Sequence, residues 1–138
     1  MLWKNIFSLE SLNAISKDTL NETLGIEFIE CGEDFLIARM PVDKRNHQPA
    51  GLLHGGANVA LAETLGSVGS YLATDNPMSK KIVGVEINAN HLKAVRSGYV
   101  YGKVTPIKVG RTLHIWHIEI RDDQHDLTCI SRITVGVF

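Results

Sequence analysis

Residues 57–74 read Ala-Asn-Val-Ala-Leu-Ala-Glu-Thr-Leu-Gly-Ser-Val-Gly-Ser-Tyr-Leu-Ala-Thr, and Glu63 is the one charged residue among them. No Lys or Arg breaks the stretch. A surface helix carries a polar stripe; this one has none, which predicts a helix covered on nearly all sides. A carboxylate in such surroundings is costly unless it is hydrogen-bonded, neutralised or given a task. Just upstream stands Leu53-His54-Gly55-Gly56, a glycine-rich approach whose amide groups point beyond the helix start. A carboxylate and an amide-lined helix start together suit a carbonyl substrate.

Working outward, the remainder of the chain reads mostly as strand. Residues 82–92 alternate, with Val83, Val85 and Ile87 on one face. Residues 99–109, 111–121 and 127–138 follow, separated by Ser97-Gly98, Gly110 and Asp122-Asp123-Gln124. A switch of apolar parity between Ile115 and Ile118 predicts a bulge near Trp116. Upstream, residues 8–19 form a helix capped by Ser8, with Leu9, Leu12 and Ile15 at spacings of three. Residues 23–31 and 35–42 are strands around a turn, and residues 43–51 are a polar loop. One apolar helix followed by four closely spaced strands predicts an α+β fold, an antiparallel sheet wrapped around one long central helix. No repeat or linker divides the chain, so residues 1–138 are read as one domain.

Composition narrows the function classes. The 138 residues are 44% hydrophobic and 21% charged, as in an ordinary globular protein. A net charge of −1 leaves no basic excess to neutralise phosphates, which argues against nucleic acid as a partner. Cys31 and Cys129 read as free thiols in a reducing cytoplasm. The first ten residues lack the basic start and apolar run of a signal peptide, and no membrane span is expected.

The chemistry converges on the start of the central helix, where Gln48, His54, Gly55, Glu63 and Ser67 are the candidates. Glu63 and Ser67 stand four residues apart and share one helix face. The helix start polarises a carbonyl oxygen, and an ionised Glu63 activates water as general base or attacks the carbonyl itself. Gly55 and Glu63, however, lie about 12 Å apart along the helix axis at ~1.5 Å per residue. Donor and carboxylate must both come within roughly 3 Å of one carbonyl. They therefore belong to two chains, which predicts a homodimer with shared active sites.

These residues carry a family resemblance. Gly51-Leu52-Leu53-His54-Gly55-Gly56, then Leu61-Ala62-Glu63 and Ser67, resembles the signature of hot-dog fold acyl-CoA thioesterases over nearly the whole chain. The similar branch is the Arthrobacter-type 4-hydroxybenzoyl-CoA, phenylacetate-pathway, menaquinone-pathway and enterobactin-pathway enzymes. The resemblance implies hydrolysis of an aryl or medium-chain acyl-CoA to a free acid and coenzyme A. Glu63 is then general base or nucleophile, and the Gly55 amide of the partner subunit the oxyanion donor. Gln48 and His54 assist it, and Ser67 positions Glu63 or the water. Two dimers pair into a homotetramer. Coenzyme A, part of the substrate rather than a cofactor, is expected to meet Ile82, His91, Lys93, Arg96, Ser97, Gly98, Lys108, Gly110 and Arg111. Val59, Leu65, Val68 and Tyr71 are expected to line the acyl pocket.

Two rivals stand beside this reading. A hot-dog dehydratase or enoyl hydratase also uses a helix carboxylate, but with a differently built His motif that His47-Gln48-Pro49 and His54-Gly55-Gly56 do not match. A non-catalytic acyl-CoA binding module would leave Glu63 unexplained. No Gly-x-Ser-x-Gly elbow is present, and no metal is expected. His114 and His117 fall on opposite sides of a strand, and no Cys-x-x-Cys or His-Glu-x-x-His occurs.

Overall fold

The computed structural model describes residues Met1–Phe138. Ser8 caps the first helix, α1 (Leu9–Ala14), through a reciprocal pair with Ser11. That helix stops at Ala14, short of the expected residue 19, so Leu12 is buried while Ile15 stands in solvent. A second short helix, α2 (Leu20–Leu24), occupies the place expected to open the first strand. Gly25 closes it at φ 73°, a left-handed conformation that only glycine adopts without strain. Strand pairing consequently begins later, with β1 (Glu27–Cys31) and β2 (Leu36–Pro41).

The long helix α3 (Gly55–Leu72) and a 3-10 turn (Pro77–Ser79) follow. The chain ends in β3 (Ile82–His91), β4 (Tyr99–Val109), β5 (Leu113–Arg121) and β6 (Leu127–Val137). All six strands pair antiparallel in the order β1-β2-β4-β5-β6-β3, with α3 against the sheet as expected. β3 is therefore an edge strand. No helix is long and apolar enough to cross a membrane.

The core lies between α3 and the sheet. Leu61 and Leu65 share one apolar cluster with Leu36, Met40, Val104, Trp116 and Ile118, all fully buried. Each such side chain contributes roughly 1.5–3 kcal/mol by leaving water. Glycines set how closely the helix approaches: a Cβ on Gly66 would overlap Ile133, and one on Gly69 would crowd Trp116. At this point the Trp116 indole N–H donates to Ser70 Oγ at 2.7 Å, with both residues fully buried. Trp3 stacks on Trp116 and ties the N-terminal segment to the same place.

Three expectations are corrected. β5 has no bulge: His114, Trp116, Ile118 and Ile120 alternate inward without interruption. The inward position at 114 is filled by a histidine, and this broke the apolar pattern. The extra residue is Ile107 on β4, beside Pro106, which faces Trp116 and has no N–H for the ladder. On β3 a register shift between Gly84 and Glu86 turns Ile87 toward the core while Val83 and Val85 stay exposed. Lastly, α3 is not covered all round. Val59, Glu63 and Ser67 are half-buried and Tyr71 is exposed, which at spacings of four makes an open stripe.

Ser70→Ala strands the Trp116 N–H in the core. The expected loss is about 1–3 kcal/mol in urea unfolding, and a loss within ~0.5 kcal/mol would show that the hydrogen bond is not what places Ser70 there.

Candidate active site

At the start of α3 the His54 ring is turned onto its own helix. Its Nδ1 accepts the Gly56 N–H at 2.8 Å from an extended backbone (φ −65°, ψ 131°), so His54 is the N-cap. Sequence reading placed His54 beside the oxyanion; here its nearer ring nitrogen is occupied by the cap. Gly55, the first residue of α3, has an N–H with no acceptor in the chain. The loop before it is held by Asn46, which reaches Pro41 O (2.7 Å) and takes the His54 N–H on its carbonyl (2.8 Å). This brings Gln48, whose Oε1 accepts from Ala50 N–H, to the rim of the helix start. Gln48, Leu53, Gly55, Asn58, His91 and Lys93 line a cleft of about 380 Å³.

Glu63 and Ser67 lie elsewhere, on the open stripe of α3. The Glu63 carboxylate rests against β3 at Gly84, where a Cβ would overlap Oε1. It makes no hydrogen bond or ion pair within the chain, and neither does the Ser67 hydroxyl. Nearby Thr64, by contrast, is satisfied by Ala60 O (2.8 Å) and Asn21 Oδ1 (2.9 Å). Because Gly55 and Glu63 share one helix, they stay about 12 Å apart at ~1.5 Å per residue. One chain thus holds apart one unspent amide, that of Gly55 at the helix start, and an unpaired carboxylate at the edge of the sheet.

The residues expected at coenzyme A divide between two ends of the molecule. Ile82 pairs with Val137 at the end that also holds Lys108, Gly110 and Arg111. His91, nine residues along β3 and thus roughly 30 Å away, stands with Lys93, Arg96, Ser97 and Gly98 at the other. Several are already engaged. Lys93 Nζ is paired with Asp122 (2.7 Å) and Asp126 (2.6 Å), and these bonds raise its pKa. The Gly110 N–H is spent on Leu113 O at 2.9 Å, so it is no free donor. At the Ser97-Gly98 turn the space beside Gly98 is filled by the Asp123 carboxylate, which also takes Tyr99 N–H at 3.1 Å. A carboxylate there opposes a phosphate and weighs against the coenzyme A contact expected at Ser97 and Gly98. In the acyl-pocket set, Leu65 faces the sheet, where Gly102 leaves room for it, and belongs to the core.

The model of the thioesterase superfamily matches residues 50–129, from the lead-in to α3 to the start of β6. The chain belongs to this family. It is 50% identical over 137 residues to a proofreading thioesterase, EntH, of Cronobacter turicensis, covering 99% of this chain and 98% of the relative. To the 1,4-dihydroxy-2-naphthoyl-CoA hydrolase of Escherichia coli K12 it is 47% identical over 137 residues, covering 99% of each. The crystal structure of a thioesterase from Haemophilus influenzae superposes with a TM-score of 0.96 at 48% identity, covering 100% of this chain and 95% of that one. The six-stranded sheet and α3 are the hot-dog arrangement of these thioesterases, and the family makes the chain a thioester hydrolase.

Two residues at the site escaped the sequence reading. Asn58 is the one amide side chain between residues 57 and 74, a signal that was available. Gly84 carries none, since its contribution is the lack of a side chain. His54→Ala is expected to cost about 1 kcal/mol of stability, and His54→Ser, which keeps a capping acceptor, to restore most of it. Equal losses in the two variants, measured by thermal unfolding, would remove the capping role.

Proposed function

We propose that the protein hydrolyses acyl-CoA thioesters to a free carboxylic acid and coenzyme A. The observation that carries this reading is the unpaired Glu63 carboxylate at the open edge of the sheet, on a helix whose first amide is also unspent. A second copy of the chain joined along β3 by a two-fold axis brings the Glu63 of one subunit toward the Gly55 of the other. The exposed Val83 and Val85 on that edge support such a partner.

In the shared site the thioester carbonyl oxygen lies against the Gly55 N–H. Glu63 of the opposite subunit takes a proton from water as the water oxygen bonds to the carbonyl carbon. The negative charge on the carbonyl oxygen is held by Gly55 at the helix start. When the intermediate collapses, the C–S bond breaks and the thiolate of coenzyme A takes up the proton. Ser67, one turn beyond Glu63 with a free hydroxyl, positions the water, and Gln48 adds an amide donor at the rim of the cleft. No cofactor is consumed, because coenzyme A enters as part of the substrate.

Val59 and Tyr71 on the open stripe of α3, with the half-buried Val68 beside them, suit an aryl or medium-chain acyl group, and a naphthoyl-CoA hydrolase among the relatives supports the aryl choice. The phosphates of coenzyme A meet Arg96 at one end of the site and Lys108 and Arg111 of the partner subunit at the other. A homotetramer built from two such dimers, working in the cytoplasm, completes the proposal.

Glu63→Gln is expected to fold normally and to lower thiol release from acyl-CoAs by at least ~10²-fold; near-normal turnover would sink the assignment. Gly55→Pro removes the donor N–H at a helix position whose backbone accepts proline, after an extended His54; its ring also displaces the His91 imidazole, so both effects fall on the same end of the site. Mixing these two inactive variants is expected to restore activity in the mixed dimers. With subunit exchange verified, an absence of rescue would contradict a site shared between chains.

A further inference from the structure

The His91 ring, at the last position of β3, lies directly over Gly55. A Cβ on residue 55 would stand 2.8 Å from His91 Nε2 and 3.0 Å from Cε1. Residue 55 has no positive φ, so it is the imidazole, not the backbone conformation, that demands a glycine. On the other side of the ring, Nδ1 faces Asn58 Nδ2 at 3.4 Å. Asn58 stands one turn into α3 and is 4% exposed, and its Oδ1 is buried with no partner. All three residues line the same cleft.

This arrangement decides which nitrogen of His91 carries the proton. An amide NH₂ only donates, so Nδ1 accepts and Nε2–H remains. Turning the amide around would bury an unpartnered NH₂ instead of an unpartnered oxygen, the rarer and costlier fault. The orphaned Oδ1 is thus the cost of aiming Nδ2 at the ring, and a buried polar atom left so calls for an explanation. Nε2 lies 2.8 Å from the Cβ position, and a backbone nitrogen is about 2.5 Å from its own Cβ. The Gly55 amide nitrogen and His91 Nε2 are therefore at most about 5 Å apart. At that separation one oxygen lying between them is within about 2.9 Å of both nitrogens.

We propose that His91 is a second oxyanion donor beside the Gly55 amide, and that Asn58 is its positioning residue. The proposal rests on the hydrolase reading above and deepens it. It moves His91 from the coenzyme A phosphates to the reacting carbonyl, while His54 spends its Nδ1 on the helix cap. The His91 Nε2–H shares the charge on the carbonyl oxygen with Gly55, keeps its own proton throughout, and forms no covalent bond.

The test compares wild type, His91→Ala, His91→Gln and Asn58→Leu in thiol release from benzoyl-CoA, beside the affinity of each for free coenzyme A, which lacks the carbonyl. His91→Ala is expected to lower kcat by about 10²-fold while coenzyme A binds as before. His91→Gln, which keeps a donor, retains more activity, and Asn58→Leu falls between. Nitrogen NMR of the histidines is expected to show His91 protonated at Nε2 in the wild type and as a mixture of tautomers in Asn58→Leu. Full kcat in His91→Ala, weaker coenzyme A binding with kcat kept, or a proton found on Nδ1 would each overturn the assignment. A wild type that cleaves no thioester overturns the hydrolase reading itself, whereas an active wild type with an equally active His91→Ala overturns only the second donor.

Discussion

The close seating of α3 on the sheet is the constraint on which the rest of the molecule depends. Gly66 under Ile133 and Gly69 under Trp116 let the helix backbone come within side-chain reach of the strands, and the bond between Trp116 and Ser70 fixes its rotation. With the rotation fixed, Leu61 and Leu65 point into the core and Glu63 and Ser67 are left on the stripe beside β3. The same rotation places Asn58 under the last residue of β3. Packing and chemistry are thus two faces of one helix, and a change in its phase would alter both.

A straight helix is also a ruler. Its rise per residue keeps the amide at its start and the carboxylate two turns on from ever meeting within one chain. That is why the open edge at β3, a liability in most sheets, is consistent with the chemistry here. The edge strand carries the glycine against which Glu63 lies and ends in the histidine that covers Gly55.

The fold was largely legible because its signals are local and strong: an apolar helix without a basic residue, then four strands divided by Gly and Asp turns. Where the reading failed, tertiary context had overruled a local pattern. His114 holds an inward place that its polarity disguised, the bulge went to the partner strand at Ile107, and α2 took residues that look extended. Glu63, Gly55 and Gln48 stand out by residue chemistry at a helix start, and the family match agrees with the helix and sheet that carry them. The partners of the basic residues were not legible. Lys93 is held by Asp122 and Asp126 from the distant β5–β6 hairpin, and Asp123 reaches the turn at Gly98. Charge counted along the chain cannot show which cations are already neutralised.

Gly84 imposes a constraint of another kind. It gives no atom to any reaction, yet every amino-acid change that a single base substitution makes at a glycine codon installs a side chain, and that side chain would intrude on the Glu63 carboxylate. The intruded atom is the mobile end of a glutamate, so the first added carbon displaces the carboxylate rather than the backbone. On the proposed role of Glu63, selection at this position would act through turnover more than through stability.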